Sequence, residues 1–294
     1  MILKGKNIVI TGSGRGIGRH VAIACAKEGA NVGITSRTIE ELNETKKLIE
    51  DLGTNVKVVV ETGDISKIEE VERIFKSFYD QLGPLSGVIA NAGYSRMGDS
   101  HEFDLEKFQI TLDTNILGVY YSFRSSYPYL KKDDKKDRAR FIITGSAAYP
   151  AAMPKFAAYT VSKYGVVGLM KALAGEYKRE NITFNQVLPT MVWTKLQTPK
   201  AADPNIPKPD AMLNPWDFTD EYIFLLSEEA NRVNNELIFT QDFQQVRKLI
   251  SEAPVDKKEN WETFESYLRE SSSKLLENVK KFRKLIEFLI KRTN

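Results

Sequence analysis

Residues 7–18, close to the start of the chain, read Asn7-Ile8-Val9-Ile10-Thr11-Gly12-Ser13-Gly14-Arg15-Gly16-Ile17-Gly18. The first five form a short, mostly apolar run that is typical of a buried parallel strand. The glycines let backbone N–H groups approach phosphate oxygens, and the apolar pattern that continues to Gly29 predicts a helix whose N-terminus attracts negative charge. A strand, a glycine loop and a helix in this order are the context that a dinucleotide-binding turn requires.

Strands and helices alternate along the chain as far as residue 240. The predicted strands after the first cover residues 31–37, 56–60, 87–90, 141–144, 182–188 and 236–240. The predicted helices between them cover residues 39–52, 68–82, 108–130, 159–177 and 218–227. Unbroken alternation predicts an α/β fold, in which a doubly wound parallel β-sheet carries helices on both faces.

The second predicted strand ends at Ser36 and Arg37, where an acidic residue that binds the adenosine ribose is expected, about 20 residues after the glycines. A guanidinium there suits a phosphate on the ribose 2′ position, because its N–H groups can form bidentate hydrogen bonds with phosphate oxygens. Arg15, inside the glycine loop, can reach the same phosphate. The two arginines predict NADP(H) in preference to NAD(H), and the alternative is that both are ordinary surface residues.

Ser146 follows the predicted strand 141–144, so it lies at the sheet edge where open parallel sheets bind ligands. Tyr159 and Lys163 are four residues apart in a predicted helix and therefore share one face. An ammonium beside a phenol favours the phenolate and lowers the pKa of the phenol. The three residues together predict proton transfer to or from a substrate oxygen. Taken alone, a tyrosine and a lysine one turn apart are more often a solvated helix face.

The composition argues against several classes of function. The chain has 294 residues, 42% of them apolar, and a net charge of +3 with both signs interspersed, so no nucleic-acid partner is expected. One cysteine and two histidines give no metal site built on those residues. No apolar run is long enough to span a membrane, and the first residues do not read as a signal peptide. We therefore expect no membrane association and a cytoplasmic location.

The composition changes after Thr194. Five prolines between Pro199 and Pro215 exclude a helix there, so residues 195–215 are predicted to form a long loop over the ligand edge, a substrate lid. From residue 241 the alternation ends. The domain hypothesis is a dinucleotide-binding and catalytic domain over residues 1–240 and a helical C-terminal extension over residues 241–294.

Apolar residues recur at heptad-like spacing in the extension and form a stripe, the tail stripe. Its members are Leu275, Val279, Phe282, Ile286 and Leu289. A stripe of this kind has to be covered. We expect either a terminal helical hairpin packed on the chain's own sheet, or cover from the lid side or another subunit.

These features together resemble the short-chain dehydrogenase/reductase family over about residues 8–240. The motifs occur in the family's order and spacing, and they are Thr11-Gly12-x-x-x-Gly16-x-Gly18, Asp64, Asn91-Ala92-Gly93, Asn115, Ser146, Tyr159-x-x-x-Lys163, and Asn185-x-x-x-Pro189 with Thr194. Each motif is weak alone, and together they are specific. The resemblance implies a Rossmann-type sheet that binds a nicotinamide cofactor, and transfer of a hydride between that cofactor and a carbonyl or alcohol carbon.

The resemblance also implies roles for single residues. Tyr159 would protonate the carbonyl oxygen, Ser146 would orient that carbonyl, and Lys163 would lower the pKa of the phenol and bind the nicotinamide ribose. Asn115 would hold a water that links Lys163 to solvent. The expected cofactor-binding residues are Gly12, Ser13, Gly14, Arg15, Gly16, Ile17, Gly18, Ser36, Arg37, Asp64, Ile65, Asn91, Ala92, Gly93, Tyr159, Lys163, Pro189, Val192 and Thr194.

Two features depart from the family pattern. Thr190 stands where a glycine usually follows the proline, and the chain lacks the Gly-Gly ending after the last strand. We expect a homodimer or homotetramer that acts on a small carbonyl or alcohol substrate. The candidates for an apolar pocket wall are Tyr94, Met97, Met153, Phe156 and Trp193. The alternatives are a cofactor-binding regulator without turnover and a Rossmann methyltransferase, which would give the Tyr-Lys pair no role.

Overall fold

The computed structural model describes residues 1–130, 137–196, 201 and 205–293. The chain divides into two units, Met1–Ile238 and Phe239–Asn294. The first unit contains the sheet, and the second unit is helical.

Seven strands form one sheet in the order β3-β2-β1-β4-β5-β6-β7. They are β1 Asn7–Thr11, β2 Asn31–Ser36, β3 Val58–Thr62, β4 Gly87–Ala90, β5 Ala139–Thr144, β6 Ile182–Leu188 and β7 Glu236–Phe239. All pairings from β3 to β6 are parallel. The order of strands reverses between β1 and β4, which leaves a crevice at their carboxyl ends. The predicted doubly wound sheet is confirmed.

Helices connect the strands of the first unit. They are α1 Gly16–Lys27, α2 Ile39–Glu50, α3 Ile68–Leu82, α4 Leu105–Leu112, α5 Gly118–Ser126, α6 Ala148–Ala151, α7 Ala157–Glu176 and α8 Thr219–Leu226. Helix α3 illustrates why they form, because its apolar residues recur at helical spacing on one buried face. That face, which includes Phe75 and Phe78, joins a core with Val88 and Phe141 of the sheet.

The segment that was predicted as one helix over residues 108–130 is divided. Helix α4 begins earlier, because the Asp104 carboxylate accepts the backbone N–H groups of Glu106 and Lys107 and so caps the helix start. A π-helical turn at Asp113–Leu117 separates α4 from α5, and a 3₁₀ turn at Tyr127–Tyr129 ends the segment. The predicted helix is therefore present from Leu105 to Ser126, and it contains a π-helical turn that spacing alone does not reveal.

Two predicted strands are displaced. The third was placed at residues 56–60 and lies at Val58–Thr62, because it pairs in register with β2 from Val32↔Val58 to Ser36↔Thr62. The fifth was placed at residues 141–144 and begins at Ala139. Pairing with a neighbouring strand, rather than local composition, sets both boundaries.

The ends of the predicted lid, residues 195–215, lie close together. Backbone hydrogen bonds run from Trp193 N to Leu213 O over 2.8 Å and from Leu213 N to Met191 O over 2.9 Å. A 3₁₀ turn at Pro215–Phe218 follows and leads into α8. Residues 197–200 and 202–204 of the predicted lid lie outside the described residues.

The second unit consists of α9 Thr240–Glu252, α10 Trp261–Ser271, α11 Ser273–Val279 and α12 Arg283–Thr293. A 3₁₀ turn at residues 280–282 divides the tail stripe between α11 and α12, and both helices contact α9. All five members of the stripe are buried within this single chain, and the ring centroids of Phe243 and Phe282 are 5.6 Å apart. The stripe therefore needs no second subunit for its cover.

No helix among the described residues combines the length and apolar character that crossing a membrane requires.

Candidate active site

The loops after β1 to β6 surround a cleft of about 570 Å³ at the carboxyl edge of the sheet, and its lining residues all belong to the first unit. Most residues predicted from the sequence line it. They are Gly12, Gly14, Arg15, Gly16, Ile17, Ser36, Arg37, Asp64, Ile65, Asn91, Ala92, Gly93, Ser146, Tyr159, Lys163, Pro189, Val192 and Thr194. Residues that are far apart in sequence thus share one cleft because the carboxyl ends of parallel strands meet at one edge.

Ser13 and Gly18 lie behind the cleft rather than in its wall. The buried Ser13 hydroxyl donates to the Ile10 carbonyl oxygen over 3.0 Å and accepts the Thr35 N–H over 2.9 Å. A Cβ on Gly18 would lie 2.3 Å from the carbonyl oxygen of Gly12, so only glycine fits there. Both residues hold the glycine loop in place from behind.

The glycine loop forms a cradle that suits phosphate. Gly12 and Gly16 have φ angles of +65° and +56°, which glycine adopts without strain. The side chain of Arg15, at the start of α1, does not cap the helix and pairs with Glu41 instead. The first-turn N–H groups of a helix without such a cap, next to its positive dipole end, favour an anionic group.

Asp64 lines the cleft after β3. Burial opposes ionisation of its carboxyl group, but hydrogen bonds from the backbone N–H and the hydroxyl of Ser66, over 2.9 Å and 2.8 Å, hold the pKa of Asp64 below its usual value. The positive charge of Arg37 acts in the same direction. Asp64 is therefore an ionised hydrogen-bond acceptor at neutral pH.

Tyr159, Ser146 and Lys163 also line the cleft. Burial raises the pKa of the Tyr159 phenol, and a hydrogen bond with Ser146 acts in the opposite direction. The Lys163 ammonium lies 5.4 Å from the centroid of the Tyr159 ring. The pKa of Tyr159 is raised overall, because the loss of solvation outweighs the hydrogen bond with Ser146.

Lys163 is itself buried, and burial lowers its pKa to about 8. Its Nζ donates to the carbonyl oxygen of Thr144 over 3.0 Å. The Thr144 hydroxyl in turn shares a hydrogen bond of 2.9 Å with the buried hydroxyl of Tyr222 on α8. These contacts tie α7, the end of β5 and α8 together beneath the cleft. Sequence patterns gave no sign of the contribution of Thr144 or Tyr222.

Asn115 is buried in the π turn and does not line the cleft. Its Nδ2 donates to the carbonyl oxygen of Tyr94 and to the Ser162 hydroxyl, each over 2.9 Å, and its Oδ1 accepts the Tyr94 N–H over 2.7 Å. Its side chain therefore fastens the loop after β4 to helix α7, which carries Tyr159 and Lys163.

The predicted pocket residues separate into two groups. Trp193 lines the cleft, and the Phe156 ring lies edge-on to the Tyr159 ring with centroids 6.3 Å apart. Met97 and Met153 are exposed, and Tyr94 packs its ring against the Arg96 guanidinium. Phe156 therefore places apolar surface beside the Tyr159 ring, and Trp193 contributes apolar surface to the cleft.

Sequence reasoning missed several residues that line the cleft, among them Arg19, His20, Glu41 and Glu44. His20 packs edge-on against Trp216, with centroids 4.8 Å apart, and its Nδ1 lies 2.7 Å from the carbonyl oxygen of Gly16. Glu41 and Glu44 lie in the first two turns of α2. The sequence did contain a signal for both residues, because they follow Ser36 closely. The chain has to turn back after β2, so the start of α2 passes the end of that strand.

Comparisons with known proteins show which family and which solved structures this chain is similar to. Residues 6–205 match the family described as short chain dehydrogenase. The oxidoreductase YhxD of Bacillus subtilis (strain 168) is 32% identical over 250 residues, which cover 80% of this chain and 81% of that protein. The 3beta-hydroxysteroid dehydrogenase 1 of Eggerthella lenta is 31% identical over 245 residues, which cover 81% of this chain and 92% of that protein. The crystal structure of carveol dehydrogenase from Mycobacterium avium in complex with NAD is 26% identical, with a TM-score of 0.72 over 81% of this chain and 96% of that one.

Proposed function

The chain belongs to the short-chain dehydrogenase/reductase family, and from that membership we propose that it is an NADPH-dependent oxidoreductase with Tyr159 as general acid and base. It reduces a carbonyl group to an alcohol or runs the same reaction in reverse. The observation that carries the proposal is the meeting of Tyr159, Ser146 and Lys163 at one cleft with the glycine loop.

The cleft suits a nicotinamide dinucleotide. The glycine loop and the start of α1 would hold its phosphates, because their N–H groups and helix dipole favour negative charge. Asp64 and Ile65 would flank the adenine, and Thr194 would meet the carboxamide. When bound, the nicotinamide ring supplies or accepts the hydride, and the protein supplies position and protons.

Tyr159 transfers the proton in this proposal. Its raised pKa keeps the phenol protonated at neutral pH, so the hydroxyl can donate to the oxygen of a carbonyl that is being reduced. Ser146, which hydrogen-bonds the phenol, orients that carbonyl oxygen next to it. In the oxidation direction Tyr159 has to be ionised first, and the hydrogen bond with Ser146 favours the phenolate.

Lys163 and Asn115 act through position and charge. The Lys163 ammonium would bind the nicotinamide ribose and supply positive charge beside the phenol, and Asn115 would hold a water between Lys163 and solvent. Tyr94 and Ser162 accept both side-chain N–H groups of Asn115, so the water would bind another atom of this residue, and the anchoring contributes by fixing the π turn against α7. Trp193 and Phe156 favour a fairly apolar ketone as the substrate.

Absorbance of the reduced nicotinamide tests the proposal. Purified protein is mixed with NADPH or NADH and a panel of ketones and 3-oxo compounds, and loss of the absorbance band reports turnover. We expect turnover with an apolar ketone and a preference for NADPH. Binding of NADPH without turnover on any substrate would instead support a regulator. We further propose a homodimer or homotetramer in the cytoplasm, which light scattering and cell fractionation would test.

A further inference from the structure

The corner of the cleft beside Ser36 is lined by an unusual mixture of charges. Its cationic residues are Arg15, Arg19, Arg37 and Lys195, and its carboxylates are Glu41 and Glu44. Arg19 binds Glu44 through two hydrogen bonds, Nη1 to Oε1 over 2.8 Å and Nη2 to Oε2 over 2.7 Å. These two charges neutralise each other, which leaves Glu41 with Arg15, Lys195 and Arg37, and Arg37 also interacts with the Asp64 carboxylate.

Glu41 makes two ion pairs there. Its Oε1 lies 2.9 Å from Arg15 Nη1 and 4.0 Å from Lys195 Nζ, and its side chain is only 21% exposed. A Cβ placed on Gly14 would lie 3.3 Å from Glu41 Oε2 and 2.8 Å from Ser36 Oγ. The carboxylate therefore occupies the same corner as Ser36, against the glycine loop.

We infer that Glu41 is a specificity-determining residue that limits affinity for NADPH without affecting affinity for NADH. The inference rests on the proposed function, because the NADPH preference expected from Arg15 and Arg37 implies that the 2′-phosphate binds at this corner. A phosphate there competes with Glu41 for Arg15 and Lys195, and it meets a like charge in a partly desolvated site. NADH brings no phosphate, so it leaves both ion pairs intact. Arg37, which has no comparable ion pair with Glu41, supplies the attraction that still makes NADPH the preferred cofactor.

The substitution Glu41→Gln tests this, because it removes the charge and keeps the shape. Isothermal titration calorimetry gives the Kd for NADPH and for NADH in the wild type and the variant. We expect the Kd for NADPH to fall on the order of 3- to 30-fold and the Kd for NADH to change less than about twofold. Glu40→Gln is the matched control, since Glu40 is an exposed neighbour in the same helical turn and does not line the cleft. The Glu40→Gln control should leave the Kd for NADPH and the Kd for NADH unchanged.

Glu41→Ala is measured in parallel, so that a folding defect peculiar to one variant does not decide the result. An unchanged or raised Kd for NADPH in both Glu41 variants would overturn the inference, because Glu41 would then be neutral or would orient Arg15 for the phosphate. An equal gain in Glu40→Gln would overturn it too, by showing a general charge effect. A wild type that binds neither cofactor would contradict the proposed function itself.

Discussion

The Lys163 ammonium donates a hydrogen bond to the carbonyl oxygen of Thr144 over 3.0 Å, and both residues are buried where α7 meets the end of β5. One neutral acceptor compensates only part of the solvation that a lysine loses on burial. The pKa of Lys163 consequently lies at about 8 rather than near its ordinary 10.5. The charge beside Tyr159 therefore changes within the pH range in which enzymes are assayed.

Carbonyl reduction should lose rate above about pH 8, because Lys163 is charged below its pKa and neutral above it. The phenol of Tyr159, whose pKa is raised, stays protonated across that range. A plot of kcat/KM against pH reports ionisations of the free enzyme. Lys171→Met is the control, because Lys171 is an exposed lysine on the same helix. This variant should show the same fall in kcat/KM at high pH as the wild type. A flat profile to pH 9.5 would contradict the assignment.

Lys163→Met should raise stability at pH 7 while abolishing activity. The folded pKa of about 8 is lower than the unfolded value of 10.5, so folding with a charged Lys163 is penalised fully below pH 8. The penalty is relieved between pH 8 and 10.5, where the unfolded chain binds more protons. The stability advantage of the variant should therefore shrink by roughly 2–3 kcal/mol between pH 7 and pH 10. Urea unfolding at both pH values measures it, and a difference independent of pH would refute the idea.

Tyr159→Phe should reduce turnover by about 10²- to 10⁴-fold, because only the hydroxyl that transfers the proton is lost. The Kd for NADPH should change little. Tyr164→Phe is the matched control on the same helix, since the Tyr164 hydroxyl bonds the Pro150 carbonyl oxygen and does not line the cleft. Steady-state kinetics measure the chemical step, and calorimetry measures cofactor binding. Turnover at the wild-type rate in Tyr159→Phe would show that Tyr159 is not the general acid.

The parts of the site that sequence could predict depend on local spacing. Tyr159 and Lys163 share a face because four residues make about one helical turn, and the glycine loop is recognisable because it follows a strand and opens a helix. The parallel sheet could be predicted from the alternation of strands and helices along the chain, because parallel neighbours are usually connected by a helix.

The parts that sequence could not predict depend on contacts between distant segments. Glu41 reaches Arg15 across 26 residues, and Thr144 meets Tyr222 across 78. The pKa of Tyr159 also depends on burial, which raises it and which residue spacing does not report. The tail stripe was recognised, but its cover by α9 required knowledge of the tertiary fold.

Arg37→Asp should weaken binding of NADPH and improve binding of NADH. The carboxylate would repel a 2′-phosphate and accept a hydrogen bond from a 2′-hydroxyl. Arg37 lines the cleft after β2, and its charge already acts on Asp64. Calorimetry with both cofactors measures the change, and Arg179→Asp, at an exposed residue that lines neither this cleft nor the neighbouring pocket beside Arg37, serves as the control. Equal Kd values for the two cofactors in the wild type would remove the basis for this prediction.

Phe282→Ala should destabilise the second unit. Phe282 is 7% exposed and lies edge-on to Phe243 of α9, with ring centroids 5.6 Å apart. Removing a buried aromatic ring leaves a cavity and typically costs about 3–5 kcal/mol.

The tail stripe covers α9, so deleting the chain from Ser271 onward should have a larger effect of the same kind, rather than leave α9 folded. Hydrogen exchange of the α9 amides measures both changes. Val255→Ala, at a side chain that is 78% exposed in the same unit, should leave that exchange unchanged. Protection of α9 that survives the loss of Phe282 would mean that the Phe243–Phe282 contact does not hold the unit together.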